Sequence, residues 1–181
     1  MVRSFVLILF FVLGLNNLAH AQNGGGSPGH NPQLGVFIGR VLPHSISSTD
    51  DIFTLWGVRY SSPMGKGDKS GGSFLDYTFF GGNGANVHWG GLSLDLSMQI
   101  PIETLVAAAG LGFDYTQYSS DIQKQRGVFG EHFIGSVMSR IGDTSLLRFD
   151  MKFNANPGST VFFGIGLVVE FDGSSSNSGG T

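Results

Sequence analysis

The sequence predicts an all-β protein, an eight-stranded antiparallel up-and-down transmembrane β-barrel. Three observations carry that prediction. Glycine (29) and phenylalanine (16) are abundant in the 181 residues while charged residues are only 13%, a balance that favours strands punctuated by turns. Beyond the N-terminal segment no stretch shows helical periodicity. Between residues 33 and 171 the chain instead breaks into eight strand-sized segments. Most of them alternate a large apolar residue with a small or polar one.

The first element is an address. In "MVRSFVLILFFVLGLNNLAHA" Arg3 precedes an apolar run from Phe5 to Leu15, and the segment closes in Ala19-His20-Ala21. This charged, apolar, small-residue order predicts a secretory signal peptide over 1–21, cleaved before Gln22. The run is shorter than the roughly 20 residues that span a bilayer as a helix. Of 10 Lys and Arg, Arg3 leaves with the signal, so 9 remain against 13 Asp and Glu. With no basic stripe, nucleic acid is excluded as a partner. The absence of cysteine removes both disulfides and thiolate zinc sites. Residues 22–32 (QNGGGSPGHNP) read as a flexible leader and 172–181 (DGSSSNSGGT) as a disordered polar tail. The barrel domain is 33–171.

The strands follow in order. Segments 33–43, 52–62, 72–81, 86–100, 104–117, 127–140, 145–154 and 159–171 are separated by turn-rich stretches such as "SSTDD", "PMGKGDKSG", "GGNGA", "PIE", "GDT" and "ANPG". The first and sixth alternate poorly, and their faces are left unassigned. In the third, Leu75, Tyr77 and Phe79 oppose Asp76 and Thr78. In the fourth, Leu92, Leu94, Leu96, Met98 and Ile100 oppose Gly91, Ser93, Asp95, Ser97 and Gln99. The fifth sets Leu105, Leu111, Phe113 and Tyr115 against Ala108, Gly110, Gly112 and Asp114. The seventh sets Leu147, Phe149, Met151 and Phe153 against Arg148, Asp150, Lys152 and Asn154. In the eighth, Val161, Phe163, Ile165, Leu167, Val169 and Phe171 oppose Phe162, Gly164, Gly166, Val168 and Glu170.

Successive side chains of a strand point to opposite faces, so each strand owns one large apolar face. A soluble barrel buries that face; a membrane barrel turns it to lipid and fills its lumen with small and polar residues. The small residues Gly91, Ser93, Ser97, Ala108, Gly110, Gly112, Gly164 and Gly166 suit a narrow lumen better than a wet sheet surface. Tyr60, Tyr77 and Tyr115 fall where an interfacial aromatic girdle belongs. The alternative is a soluble periplasmic β-barrel whose large residues line a cavity for a lipidic ligand.

The membrane facing turns Arg59, Asp76, Asp95, Asp114, Arg148, Asp150, Lys152 and Glu170 into an inward charge network. Eight strands enclose an interior that side chains just fill, and an unpaired charge there costs several kcal/mol or so. A salt-bridged plug is therefore expected. The sharper reading is a narrow ion path opened when pairs such as Arg148–Asp150 exchange partners. No cofactor is expected, and no metal, because no two histidines stand at ligand spacing. His30 and His44 read as loop residues, His88 and His132 as interface or lumen packing.

The run Val161-x-Phe163-x-Ile165-x-Leu167-x-Val169-x-Phe171 resembles the terminal strand of Gram-negative outer-membrane β-barrels. With the signal and the eight strands, the chain resembles the small barrels of the outer-membrane protein A, X and W type. That resemblance implies a place in the outer membrane with lipid as partner. It also implies that the barrel-assembly machinery recognises the alternating strand that ends in Phe171. The family's aromatic is normally the last residue, whereas ten residues follow Phe171 here. Both termini would be periplasmic, with external connections near 44–51, 81–85, 117–126 and 155–158. The implied role is structural or surface-interacting, with at most porin-like passage of small solutes. Lipid A deacylases of this class use a His-x-Ser-Asn-type motif; none of the five histidines here has it, and the chain is not read as an enzyme.

Overall fold

A computed structural model describes residues 31–43, 53–64, 71–84, 87–120, 126–155 and 160–171. It consists of eight strands: β1 (Gln33–Pro43), β2 (Phe53–Pro63), β3 (Gly72–Asn83), β4 (Val87–Ile102), β5 (Leu105–Ser120), β6 (Arg126–Arg140), β7 (Ser145–Asn154) and β8 (Thr160–Glu170). Each pairs antiparallel with its sequence neighbours, and β8 pairs with β1 to close the barrel. No helix of the described residues is long and apolar enough to cross a membrane. The predicted signal peptide, most of the leader and the tail lie outside the described residues.

The ladder registers fix the barrel's shape. Stepping across partners from Gln33 leads through Ser61, Asp76, Asp95, Gly112, His132, Asn154 and Thr160, and returns to β1 at Pro43. The path thus comes back ten residues along β1 from where it began. With a rise of ~3.3 Å per residue and strands ~4.8 Å apart, that stagger tilts the strands by about 40°.

The faces alternate throughout. Leu34, Val36 and Ile38 of β1, Leu94, Leu96 and Met98 of β4, Leu111 and Phe113 of β5, and Phe163, Ile165, Leu167 and Val169 of β8 are all exposed on the outer surface. β1 and β6, unassigned from sequence, now have faces. Gln33, Phe37 and Val41 point inward while Arg40 is exposed among the outer apolar residues. In β6 His132, Ile134, Ser136 and Met138 are buried, and Phe129, Glu131, Phe133 and Val137 are exposed.

Lumen glycines follow from the inward aromatics. A Cβ on Gly57 would collide with the Phe37 ring, and one on Gly39 or Gly164 with the Phe162 ring. Bare backbone at these positions is what lets two phenyl rings fit inside so narrow a barrel.

Several boundaries differ from the sequence expectation. β3 runs on to Asn83 and β5 to Ser120, into stretches expected as external connections, because both continue their ladders with β4. The β4–β5 hairpin is tighter: Pro101 pairs with Val106 and Ile102 with Leu105, leaving Glu103-Thr104 as the turn, with Glu103 at φ 52. Asn31 and Pro32, assigned to the flexible leader, are buried, and the Pro32 carbonyl accepts a hydrogen bond from Phe171 N at 2.9 Å. The seam that joins the first and last strands therefore extends past both.

Candidate functional site: the barrel lumen

The inward residues stack in tiers. At the end that carries the termini, Gln33 donates to Gln99 (3.1 Å) and to Glu170 (3.3 Å). Arg140 donates to the other oxygen of Glu170 at 2.7 Å. Beside them Ala108, Met138, Leu146 and Val168 form a buried apolar cluster with Val106 against it.

The middle tier is built on Asp150. Its Oδ2 accepts from Arg59 Nη1 at 2.9 Å, and its Oδ1 from Arg148 Nε at 2.7 Å and from Ser136 Oγ at 2.5 Å. Arg148 also donates to Ser136 Oγ and Arg59 to Thr78 Oγ1. Asp76 accepts from Ser97 Oγ at 2.8 Å. One carboxylate held by two guanidiniums with its remaining capacity filled by a hydroxyl is the arrangement that makes a buried charge tolerable. The Arg59 guanidinium also lies over the Phe37 ring at 5.4 Å.

The next tier centres on His132. Its Nε2 contacts Asp95 Oδ1, and its Nδ1 stands 3.3 Å from Asp114 Oδ2. That second approach is within ion-pair distance but is not aligned as a hydrogen bond. Asp114 accepts from Lys152 Nζ at 3.0 Å, and Lys152 lies over the Phe80 ring at 5.5 Å. Ser93 completes the group, 3.3 Å from His132 Nε2. A serine, a histidine and two aspartates so close invite a catalytic reading, and the hydrogen bonds argue against it. Ser93 Oγ donates to Asp95 Oδ2 at 2.9 Å, so its proton is directed at a carboxylate rather than at the imidazole, and Nε2 is engaged by that same aspartate. A nucleophile needs its base free to take the proton.

Above this tier Phe37, Val41, Leu55 and Phe162 form a second buried apolar cluster, with Phe80 and Trp89 packed on it. Phe37 and Phe162 meet edge to face, with centroids 5.8 Å apart. A cavity of about 10 Å³ beside Arg59, Ser61, Arg148 and Asp150 has room for about one water. Among the described residues no cluster of His, Asp and Glu is set to hold a metal.

All eight sequence-selected lumen residues point inward, and the structure joins them in three groups: Glu170 at the mouth; Arg59, Arg148, Asp150 and nearby Asp76 in the middle; Asp95, Asp114 and Lys152 around His132. His132, read only as interface or lumen packing, is the hub of the upper group. Gln33, Gln99, Ser136 and Arg140 join these groups as well, and being uncharged or on strands without a clear alternation they carry no such signal in the sequence. The six alternating residues of the last strand, Val161 through Phe171, all face outward.

This geometry has solved counterparts. The chain has the fold of the small eight-stranded outer-membrane barrels. The N-terminal β-barrel domain of Pseudomonas aeruginosa OprF superposes with a TM-score of 0.62 at 13% identity, covering 79% of this chain and 98% of that one. Ail of Yersinia pestis, described as the attachment invasion locus protein, gives 0.52 at 10% identity over 78% and 97%. The outer-membrane enzyme PagL gives 0.51 at 5% identity over 77% and 99%. No protein-family model and no curated protein matches the sequence. At these identities the likeness is one of fold, and the fold carries both enzymes and non-enzymes.

Proposed function

We propose that this protein is a closed outer-membrane barrel, exported by its signal peptide, that serves the envelope as a structural or surface-interacting element and passes no solute at rest. The observation that carries this reading is the filled lumen. Paired charges occupy its middle, and an apolar cluster lies toward each end. An ion would have to leave water, pass an apolar constriction and break buried ion pairs, each a barrier of several kcal/mol or so. Outer-membrane lipid would cover the exposed leucines, valines and phenylalanines. The alternating strand from Val161 to Phe171 would be what the barrel-assembly machinery reads.

Two other readings find less support. A lipidic ligand inside would need the large residues to line a cavity, whereas among the described residues they face out. A lipid-modifying site like that of an outer-membrane enzyme would need catalytic groups within reach of lipid, whereas His132 and Ser93 are buried in the lumen.

Planar-bilayer recording tests the proposal. The wild-type protein should give no unitary steps. The pair Phe37→Ala with Phe162→Ala, which removes two of the four side chains of the upper apolar cluster, should still give none, because the ion pairs and the lower cluster remain. Steady conductance from the wild type would overturn the closed reading.

A further inference from the structure

Between the two apolar clusters the described side chains carry four carboxylates, Asp76, Asp95, Asp114 and Asp150, and three permanent cations, Arg59, Arg148 and Lys152. That stretch of the lumen is one positive charge short, in a place where an unbalanced charge is costly. Both guanidiniums are committed to Asp150, and the Lys152 ammonium to Asp114. Among the described residues Asp95 has no permanent cation within ion-pair distance. What it has is the His132 ring.

The ring is held where two carboxylates face its two nitrogens. Asp95 of β4 meets Nε2, and Asp114 of β5 stands 3.3 Å from Nδ1. The register brings them there: His132 pairs with Gly112, and Gly112 with Asp95. A Cβ at position 112 would collide with Asp95 Oδ1, so the bare glycine clears the way across β5. Ser93 of β4 lies 3.3 Å from Nε2, and Lys152 of β7 reaches the group through Asp114. From the middle tier Arg59 of β2 acts on Asp95, while Asp76 of β3 and Asp150 of β7 act on Arg59. A neutral imidazole has one N–H and one bare lone pair. Either tautomer would aim that lone pair at a carboxylate. The imidazolium offers an N–H to each and supplies the missing charge. A proton on Asp76 would balance the charge too, but its Oδ1 has no partner among the described residues to accept it.

We propose that His132 is a proton-operated clasp. As the imidazolium it ties β6 to Asp95 and Asp114 and locks the upper tier; on losing a proton it releases Asp114. This deepens the closed-barrel reading, on which it rests, by naming what controls that tier. The stability the clasp adds is present while the ring is charged and is lost as the pH rises through its titration. The middle tier has no such group, because Arg59 and Arg148 stay charged throughout. Lys152 keeps Asp114 paired when the ring lets go, so the loosening stays local to β4, β5 and β6.

The test uses the full mature chain in lipid vesicles, its folding checked by a heat-shifted gel band. NMR counts the protons on the His132 ring as the pH is raised, the signal assigned by its absence in His132→Gln. Urea unfolding is followed on the same samples. The ring should carry two protons at the acid end and lose one as the pH rises. Across that step the unfolding equilibrium constant should grow about tenfold or more, as a buried ion pair is lost. His132→Gln should show no such step. Should that variant fail to fold, Asp114→Asn, which leaves Nδ1 without a facing charge, should shrink the wild-type step by about half or more. A ring holding one proton wherever the barrel is folded would overturn the proposal. So would a step of wild-type size in His132→Gln or in Asp114→Asn. A failure of the closed-barrel reading would show separately, as steady wild-type conductance while the ring still holds both protons.

Discussion

Arg59 of β2 stands 2.9 Å from Asp150 of β7, tying two strands that share no ladder. Arg148 holds the same carboxylate at 2.7 Å. Removing Asp150 leaves two buried guanidiniums with no anion between them. Asp150→Ala should therefore destabilise the barrel by about 3–5 kcal/mol, the usual cost of breaking a buried pair by deleting one partner. Urea unfolding in lipid vesicles, read by tryptophan fluorescence, measures it. Asp150→Asn, which keeps the shape and some hydrogen bonding, should cost less.

The glycine pockets predict steric failures in the lumen. A Cβ on Gly57 meets the Phe37 ring and the Phe79 carbonyl. Gly57→Ala should cost about 1–3 kcal/mol, the range for overpacking, and Phe37→Leu in the same chain should recover part of it. The same unfolding assay reads both variants.

The β4–β5 turn stores a small strain. Glu103 sits at φ 52, a left-handed conformation that costs an ordinary residue about 1–2 kcal/mol. Glu103→Gly should stabilise the protein by about 1 kcal/mol, less than the full relief because glycine also loosens the unfolded chain. A higher urea midpoint at an unchanged slope would register it.

Facing can be tested residue by residue. Leu96 is 48% exposed, between Leu75 and Leu111 on the neighbouring strands. If lipid covers it, Leu96→Arg costs about 2–4 kcal/mol, the range for the bilayer midplane. Thr54→Arg, exposed near the opposite end from the termini, should cost about 0–1 kcal/mol. Equal and negligible costs would place that face in water.

The strand count and most facings were legible because a period of two survives in single strands. Leu92 through Ile100 and Val161 through Phe171 display it without help from neighbours. β1 hid it because Phe37 and Val41 are large yet inward, while Arg40 is charged yet outward. β6 hid it the same way, with Ile134 and Met138 inside and Glu131 outside. The charges of the lumen could be chosen from facing alone. Their partners could not, because the ten-residue stagger of the closed barrel decides who meets whom. His132 is brought to Asp95 and Asp114 by the β4–β5–β6 register, and nothing local to "GEHFIG" announces it. Parity does not help either, because the large inward Ile134 and Met138 mask which face of β6 carries His132 and Ser136.

The central claim, that the large face meets lipid, has one direct test. Cells expressing the full chain are separated into membranes and soluble periplasmic extract, and the membrane fraction is run on a gel with and without boiling. The account predicts an outer-membrane pool whose unboiled band shifts on heating, as a closed barrel unfolds. A soluble protein with no heat-shifted band would contradict it.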